Sequence, residues 1–182
     1  MAYVFPNIQW MPIPNIGDEV IAYITSWQLD GLILTGGNDV GDAKIRDDTE
    51  SCVISYAIEK DLPIFGVCRG LQMIQHYYDG PISICDKIRH VANTHTVSFI
   101  KPLTNVIKPD SQVDVNSYHT QAVSVDDLVS TLEPFAISED GWVEGIYHRK
   151  NKITAVQWHP ERNHPYAEAD IDLMRSALDI RG

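Results

Sequence analysis

Pro63-Ile64-Phe65-Gly66-Val67-Cys68-Arg69-Gly70-Leu71-Gln72 is an apolar run that ends in a cysteine framed by two glycines, and its reading decides the fold. Residues 63–67 form a short, continuous apolar segment, the texture of a strand buried on both faces of a sheet. Residues 71–78 then show helical spacing. A strand, a Gly-x-Cys-x-Gly turn and a helix in that order have the form of a nucleophile elbow with cysteine in place of serine. Such a turn lifts the Cys68 sulfur above the sheet edge. It also puts the sulfur at a helix N-terminus, where the positive end of the helix dipole favours thiolate.

The same texture continues outward. Gly31-Leu32-Ile33-Leu34 is a second buried strand by its composition, closed by the turn Thr35-Gly36-Gly37-Asn38-Asp39. Ahead of it, Asn15 is expected to cap a helix with Asp18 and Glu19 in its first turn and Val20, Ile24 and Trp27 along one face. A second helix is expected over 49–60, with Val53, Tyr56 and Ala57 inward. Strands alternating with helices imply a parallel sheet with right-handed crossovers. Beyond Gly80 the segments 96–100, 113–116, 135–138, 142–147 and 153–158 read as β, with a hairpin turn at Glu139-Asp140-Gly141. A closing helix over 167–178 carries Ile171, Met174 and Leu178 on one face. The expectation is an α/β fold in a single domain over 1–182. Its central sheet is mostly parallel and flanked by helices, with a smaller antiparallel portion in the C-terminal half.

The chain has 182 residues, 44% of them apolar, enough for one domain with a sizeable core. A formal charge of −11 with only 14 scattered Lys and Arg opposes binding to a phosphate backbone, so no nucleic-acid partner is expected. No apolar stretch approaches the roughly 18 residues of a membrane span, and Met1 to Pro6 does not read as a signal peptide. No membrane association and a cytoplasmic location are therefore expected. Cys52, Cys68 and Cys85 fit neither a disulfide framework nor a CxxC site, and Cys52 and Cys85 lack the glycine frame and read as structural, with Cys52 on the inner side of its helix. His76, His90, His95, His148 and His164 show no zinc-ligand spacing beyond a loose His90/His95 pairing. No metal is expected, and that pair could equally line the active-site cleft. Trp142 and Trp158 read as core residues, and Asp47-Asp48 as a solvated helix start without a chemical role.

A thiol with a reference pKa of about 8.5 is mostly protonated at neutral pH and needs a base held in the right tautomer. His159, in Gln157-Trp158-His159-Pro160-Glu161, follows the strand over 153–158 and is the best candidate. Pro160 stiffens its loop, and Glu161 can orient its ring. The Arg69 backbone N–H points to where a substrate carbonyl oxygen gains charge, and a second donor could come from near Gly37.

Four motifs taken together resemble the class I glutamine amidotransferase superfamily, and within it the γ-glutamyl-γ-aminobutyrate hydrolase branch, peptidase family C26. They are Leu34-Thr35-Gly36-Gly37-Asn38-Asp39-Val40, Gly66-Val67-Cys68-Arg69-Gly70-Leu71-Gln72, Val115-Asn116-Ser117-Tyr118-His119-Thr120-Gln121 and Val156-Gln157-Trp158-His159-Pro160-Glu161, in family order. The resemblance implies a flavodoxin-like fold and a triad of Cys68, His159 and Glu161. It implies oxyanion N–H groups from Gly37 and Arg69, and a glutamyl moiety held by Gln72 and the Ser117, Tyr118, His119 segment. His119 could instead shape the entrance for the leaving amine. It implies neither metal nor organic cofactor. It also implies a strand and a long helix ahead of the segment with which this chain opens. These are not found, and Tyr3-Val4-Phe5-Pro6 could replace one strand only, with a partner chain as one way to complete it.

The activity so implied is hydrolysis of the γ-glutamyl amide bond of a small glutamine-like conjugate through a γ-glutamyl thioester, releasing glutamate and an amine or amidate. The same triad would also serve a glutaminase subunit that passes ammonia to a synthetase partner, and a homodimer is an open alternative. Arg162, available for phosphate, points toward a nucleotide-linked glutamine in surface-polysaccharide modification. A non-catalytic relative is opposed by the intact Cys68, His159 and Glu161.

Overall fold

A computed structural model describes residues 5–102 and 108–180. A turn of 3-10 helix at Gly17–Glu19 leads into α1 (Val20–Thr25), followed by β1 (Leu32–Leu34), α2 (Lys44–Glu59), β2 (Ile64–Val67) and α3 (Arg69–Tyr77). Then come β3 (Ser83–Ile84), α4 (Lys87–His90), β4 (Val91–Phe99), β5 (Gln112–Tyr118) and β6 (Gln121–Ala122). The chain continues through β7 (Leu132–Ser138), β8 (Val143–His148), β9 (Ile153–Val156), a second 3-10 turn at Pro160–Arg162 and α5 (Glu168–Ala177). Seven strands form one sheet in the order β1-β2-β9-β8-β7-β4-β5, and β3 pairs with β6 separately.

The α/β expectation holds, with helices flanking the sheet and the elbow on its parallel part. The antiparallel share is larger than the sequence predicts: β1/β2 and β2/β9 are parallel, whereas β9/β8, β8/β7, β7/β4 and β4/β5 are antiparallel. Side chains on β2 alternate between two apolar clusters, Ile64 to one and Phe65 and Val67 to the other. The first cluster also holds Val20, Ile54 and Ile74 from α1, α2 and α3, and the second holds Trp158 and Leu173. Phe5 is buried in the second cluster, while Tyr3 and Val4, half of the expected stand-in strand, lie outside the described residues. Among the described residues no helix is long and apolar enough to cross a membrane.

Three local expectations are corrected. Asn15 is not the cap of α1; the Gly17 N–H donates instead to the Thr49 hydroxyl of α2 at 2.7 Å, so a side chain from another helix satisfies that helix start. Trp27 lies past the end of α1 and is 54% exposed. The Ser26 hydroxyl bonds the Tyr23 carbonyl and Gln28 turns to positive φ, which together stop the helix one turn early.

The third correction bears on the site. α2 starts at Lys44, not Thr49, so the Asp47-Asp48 pair lies inside the helix. Asp47 is not merely solvated. Its carboxylate and that of Glu50 both pair with the guanidinium of Arg69, which is 1% exposed. Glu50 also accepts from Arg46 Nε at 2.8 Å, and Arg46 Nη2 donates to the carbonyls of Thr35 at 2.9 Å and Gly36 at 3.2 Å. One face of α2 thus ties the turn after β1 to the elbow after β2.

Removing one partner from a buried ion pair leaves an uncompensated charge. Glu50→Ala is expected to destabilise the protein by about 3 kcal/mol, seen as a fall of roughly 6–12 °C in Tm. A fall of less than about 2 °C would mean that water replaces the lost carboxylate and that the network is not a structural tie.

Candidate active site at the strand–helix elbow

Cys68 sits in the turn between β2 and α3 with φ 52° and ψ −103°, a left-handed backbone that costs a non-glycine residue about 1–3 kcal/mol. Ladder bonds hold it there. Its N–H donates to the Val156 carbonyl at 2.8 Å, and its own carbonyl accepts from Leu71 N at 3.0 Å and Gln72 N at 3.3 Å. The flanking glycines permit the close approach: a Cβ on Gly66 would lie 2.8 Å from Ala155 Cβ and 3.0 Å from the Gly70 carbonyl carbon, and one on Gly70 would strike the Leu34 carbonyl. The thiol is buried, and burial pushes its pKa up to about 12. The Arg69 N–H pulls it down, the Glu161 charge raises it and the Arg162 charge lowers it.

His159 follows Trp158, whose buried indole N–H donates to Asp170 on α5 at 2.9 Å. Asn116 on β5 grips the backbone of His159 on both sides, accepting from its N–H at 2.9 Å and donating to its carbonyl at 2.8 Å. The ring is also fixed, because Nδ1 meets Glu161 Oε1 at 2.6 Å. Burial raises the Glu161 pKa, but the bond to the imidazole outweighs it, and the carboxyl is held below its usual range. An ionised carboxylate only accepts, so the Nδ1 position carries the hydrogen and Nε2 keeps its lone pair. Gly36 lies between base and thiol: a Cβ there would be 2.8 Å from His159 Cε1 and 3.7 Å from Cys68 Cβ. Among the described residues the Cys68 sulfur is bonded to Gln157 Nε2 at 3.6 Å and makes no direct bond to the His159 ring.

The other expected residues divide into two sets. Gly37 has φ +155°, its missing Cβ makes room for the Arg46 guanidinium, and its N–H donates to no other group among the described residues. Gln72 on α3 is buried, with Nε2 bonded to the Gln121 carbonyl at 2.7 Å. Tyr118 is 42% exposed and edge-on to the His159 ring at 5.7 Å, with the Arg162 guanidinium 4.1 Å above it. The side chains of Ser117 and His119 turn into the interior. The Ser117 hydroxyl donates to the His90 carbonyl at 2.8 Å, and His119 Nδ1 meets the Gln121 carbonyl at 3.0 Å. Burial, then the charges of His90 and His95, lower the His119 pKa to about 3.

The sequence assigns no role to Asn116, Gln157, Asp47 or Glu50. A signal exists for the last two: a buried arginine beside the elbow demands counter-charge, and residues three apart share a helix face. A cavity of about 390 Å³ lined by Pro63, Tyr147, Lys152 and Ala177 lies toward the opposite end of β2 from Cys68 and has no part in this arrangement. Away from it, Cys85, His90 and His119 form one group, and His90, His95 and Glu144 another, that could each hold a metal ion, all buried but the half-buried His95.

A profile of the peptidase C26 family matches residues 9–161. The γ-glutamyl-CDP-amidate hydrolase of Campylobacter jejuni is 33% identical over 72% of this chain and 62% of its own length. The glutamine-hydrolysing GMP synthase subunit of Methanococcus maripaludis is 29% identical over 84% of this chain and 74% of its own. The chain spans about two thirds of the length of three curated relatives, at 67%, 66% and 62%. Among solved structures, the glutaminase domain of Trypanosoma brucei CTPS with bound acivicin superposes with a TM-score of 0.73 at 15% identity, covering 100% of this chain and 85% of that one. With the profile match spanning most of the sequence and the elbow formed as the motifs require, the chain belongs to the peptidase C26 family of glutamine amidotransferase-like hydrolases.

Proposed function

We propose that this protein hydrolyses the γ-glutamyl amide bond of a small glutamine-like conjugate, with Cys68 as nucleophile, His159 as acid and base, and Glu161 as the group that orients the imidazole. The observation that carries this reading is the Glu161–His159 bond at 2.6 Å near a cysteine at a strained elbow, with Gly36 bordering both His159 and Cys68. His159 Nε2 takes the thiol proton as sulfur attacks the γ-carbonyl, and the oxyanion is held by the N–H groups of Arg69 and Gly37. The C–N bond breaks as His159 returns that proton to the leaving nitrogen, giving an amine and a thioester. Water then gives a proton to His159 Nε2 and attacks the thioester carbonyl, and the C–S bond breaks as His159 returns that proton to the sulfur. Collapse releases glutamate and restores the thiol. Each oxyanion donor contributes about 3 kcal/mol, and the base roughly 10²–10⁴-fold.

The Tyr118–Arg162 pair beside His159 favours a leaving group that carries negative charge, since Arg162 is exposed and stacked where a leaving group would depart. The likeness to a γ-glutamyl-CDP-amidate hydrolase supports the same choice. A glutaminase subunit that supplies ammonia to a synthetase partner is the second reading, favoured by the likeness to a glutamine-hydrolysing GMP synthase subunit.

Purified protein is expected to release glutamate from a γ-glutamyl conjugate with an anionic leaving group far faster than from glutamine. Cys68→Ala should abolish release. Absence of release from every amide tested would overturn the hydrolase reading, and activity on glutamine only when a synthetase is added would establish the second.

Asn116→Ala is expected to lower kcat by roughly 10²-fold through a misplaced imidazole. Its fold should be retained, as checked by circular dichroism. An unchanged kcat would show that Pro160 and Glu161 suffice to place the ring.

A thiol held neutral until about pH 12 stays protonated near neutrality. Iodoacetamide should therefore label Cys68 in the free protein more slowly than a free cysteine at about pH 7, and ever faster as pH rises. A plateau of labelling near neutrality would instead reveal a preformed thiolate–imidazolium pair.

A further inference from the structure

Four side chains from different elements converge behind the active site: His90 at the end of α4, His95 on β4, His119 just after β5 and Glu144 on β8. The His90 ring lies 4.9 Å from that of His95 and 5.0 Å from that of His119, centre to centre. Glu144 Oε1 is 3.1 Å from His95 Nε2 and 3.9 Å from His119 Nε2. Glu144 is wholly buried, His90 is 1% exposed and His119 3%.

Hydrogen bonding within this group leaves a deficit. His90 Nδ1, His95 Nδ1, His119 Nε2 and Glu144 Oε2 are buried without a hydrogen-bond partner, and His95 Nε2 and Glu144 Oε1 meet each other at 3.1 Å but out of line for a good hydrogen bond. Burying such an atom unpaired is costly. The hydrogens of His90 and His119 are engaged elsewhere, since His90 Nε2 meets Asp140 Oδ2 at 2.9 Å and His119 Nδ1 meets the Gln121 carbonyl at 3.0 Å. Carboxylate and carbonyl only accept, so each ring donates outward and its other nitrogen presents a bare lone pair to the group. Two such nitrogens therefore lie in the same group as the Glu144 carboxyl, and His95 Nε2 at 3.1 Å from Oε1 can satisfy one of its oxygens at most. Lone pairs cannot satisfy lone pairs. A positive ion can.

We propose that His90, His95, His119 and Glu144 bind one divalent transition-metal ion of the zinc type. Imidazole nitrogens with one carboxylate oxygen suit that class, whereas magnesium and calcium call for oxygen shells. Donors about 2.1 Å from a tetrahedral ion stand roughly 3.4 Å apart. The donor atoms of His90, His95 and Glu144 already lie within 4.8 Å of one another, so modest side-chain rotation closes the site. Asp140 and the Gln121 carbonyl stand as outer partners that orient ligating imidazoles. Asp140 is itself held by the Ser138 hydroxyl at 2.7 Å. Cys85 Sγ, 3.5 Å from His119 Nδ1, is a neighbour that can compete for the ion.

The ion would be a clamp and not a reaction centre. Its ligands join α4, β4, the end of β5 and β8, and two of them lead to the elbow. The Glu144 carbonyl accepts from Gln157 N at 2.8 Å, and Gln157 is the residue that holds the Cys68 thiol. The Gln121 carbonyl that engages His119 also accepts from Gln72.

The test uses full-length, untagged Cys68→Ala protein, so that the nucleophile cannot bind the ion, stripped with chelator and titrated with zinc chloride. Metal content by mass spectrometry, a cobalt-substituted visible spectrum and Tm are the readouts, none of which depends on activity. One zinc per chain, an intense tetrahedral cobalt band and a raised Tm are expected, with affinity weakened by roughly 10- to 100-fold or more on adding Glu144→Gln. His95→Asn should do the same if the first variant fails to fold. Failure of Cys68→Ala to take up zinc would overturn the proposal. Undiminished uptake in either folded double variant would also overturn it, by placing the ion elsewhere. A hydrolase that holds no zinc would refute this inference alone.

Discussion

The active-site geometry depends on one buried charge. Arg69 directly follows Cys68, the proposed nucleophile, and its guanidinium is sealed between the carboxylates of Asp47 and Glu50. A buried guanidinium is tolerable only when paired, and the pairing here has a geometric by-product. Because Glu50 also engages Arg46, and Arg46 engages the carbonyls of the turn after β1, the two loops proposed to supply oxyanion donors are fixed to the same face of one helix. The Arg46 guanidinium occupies the place of the missing Gly37 side chain. Ion pairs at this depth add little net stability compared with apolar packing, so their use here is best understood as positional.

Much of this is legible in the sequence, for reasons that can be named. The elbow is readable because it obeys three local rules at once: a continuous apolar strand, glycines at the points of closest approach, and helical spacing afterwards. The β7–β8 hairpin is readable because Gly141 adopts φ 87° in the turn as its composition requires. The start of α2 is not, because its first turn is held by long-range ion pairs and not by a local cap; its N-cap Ala43 makes no side-chain bond. The cap of α1 escapes for the same reason, with Thr49 of another helix in the role expected of Asn15. The extent of the antiparallel sheet is hidden because β4 and β5 carry mostly exposed residues over much of their length, which gives no buried periodicity to count.

Site residues divide along the same line. Cys68, His159 and Glu161 sit in short motifs whose internal spacing already contains the chemistry. Asn116 acts on His159 across 43 positions of sequence, and Gln157 reaches Cys68 across 89, so only the assembled sheet reveals them. The histidine group is a stronger case. Its members come from 90, 95, 119 and 144, none at ligand spacing except the loose first pair, and only the assembled fold brings them together.

His159 and His119 show how the surroundings decide what an imidazole does. Both are buried at 3% exposure, and both have Nδ1 against an oxygen acceptor, which leaves Nε2 as the lone-pair nitrogen in each. For His159 the acceptor is a partly exposed carboxylate two residues away, which fixes the ring. That is what a base must have if it is to take and return a proton in one cycle. For His119 the acceptor is a neutral carbonyl and the neighbours are two more histidines, so a proton is strongly disfavoured and the pKa falls to about 3. An imidazole that stays neutral at every ordinary pH is a poor acid and base. It is, however, always ready to donate its lone pair, and the fold surrounds it with others of the same kind.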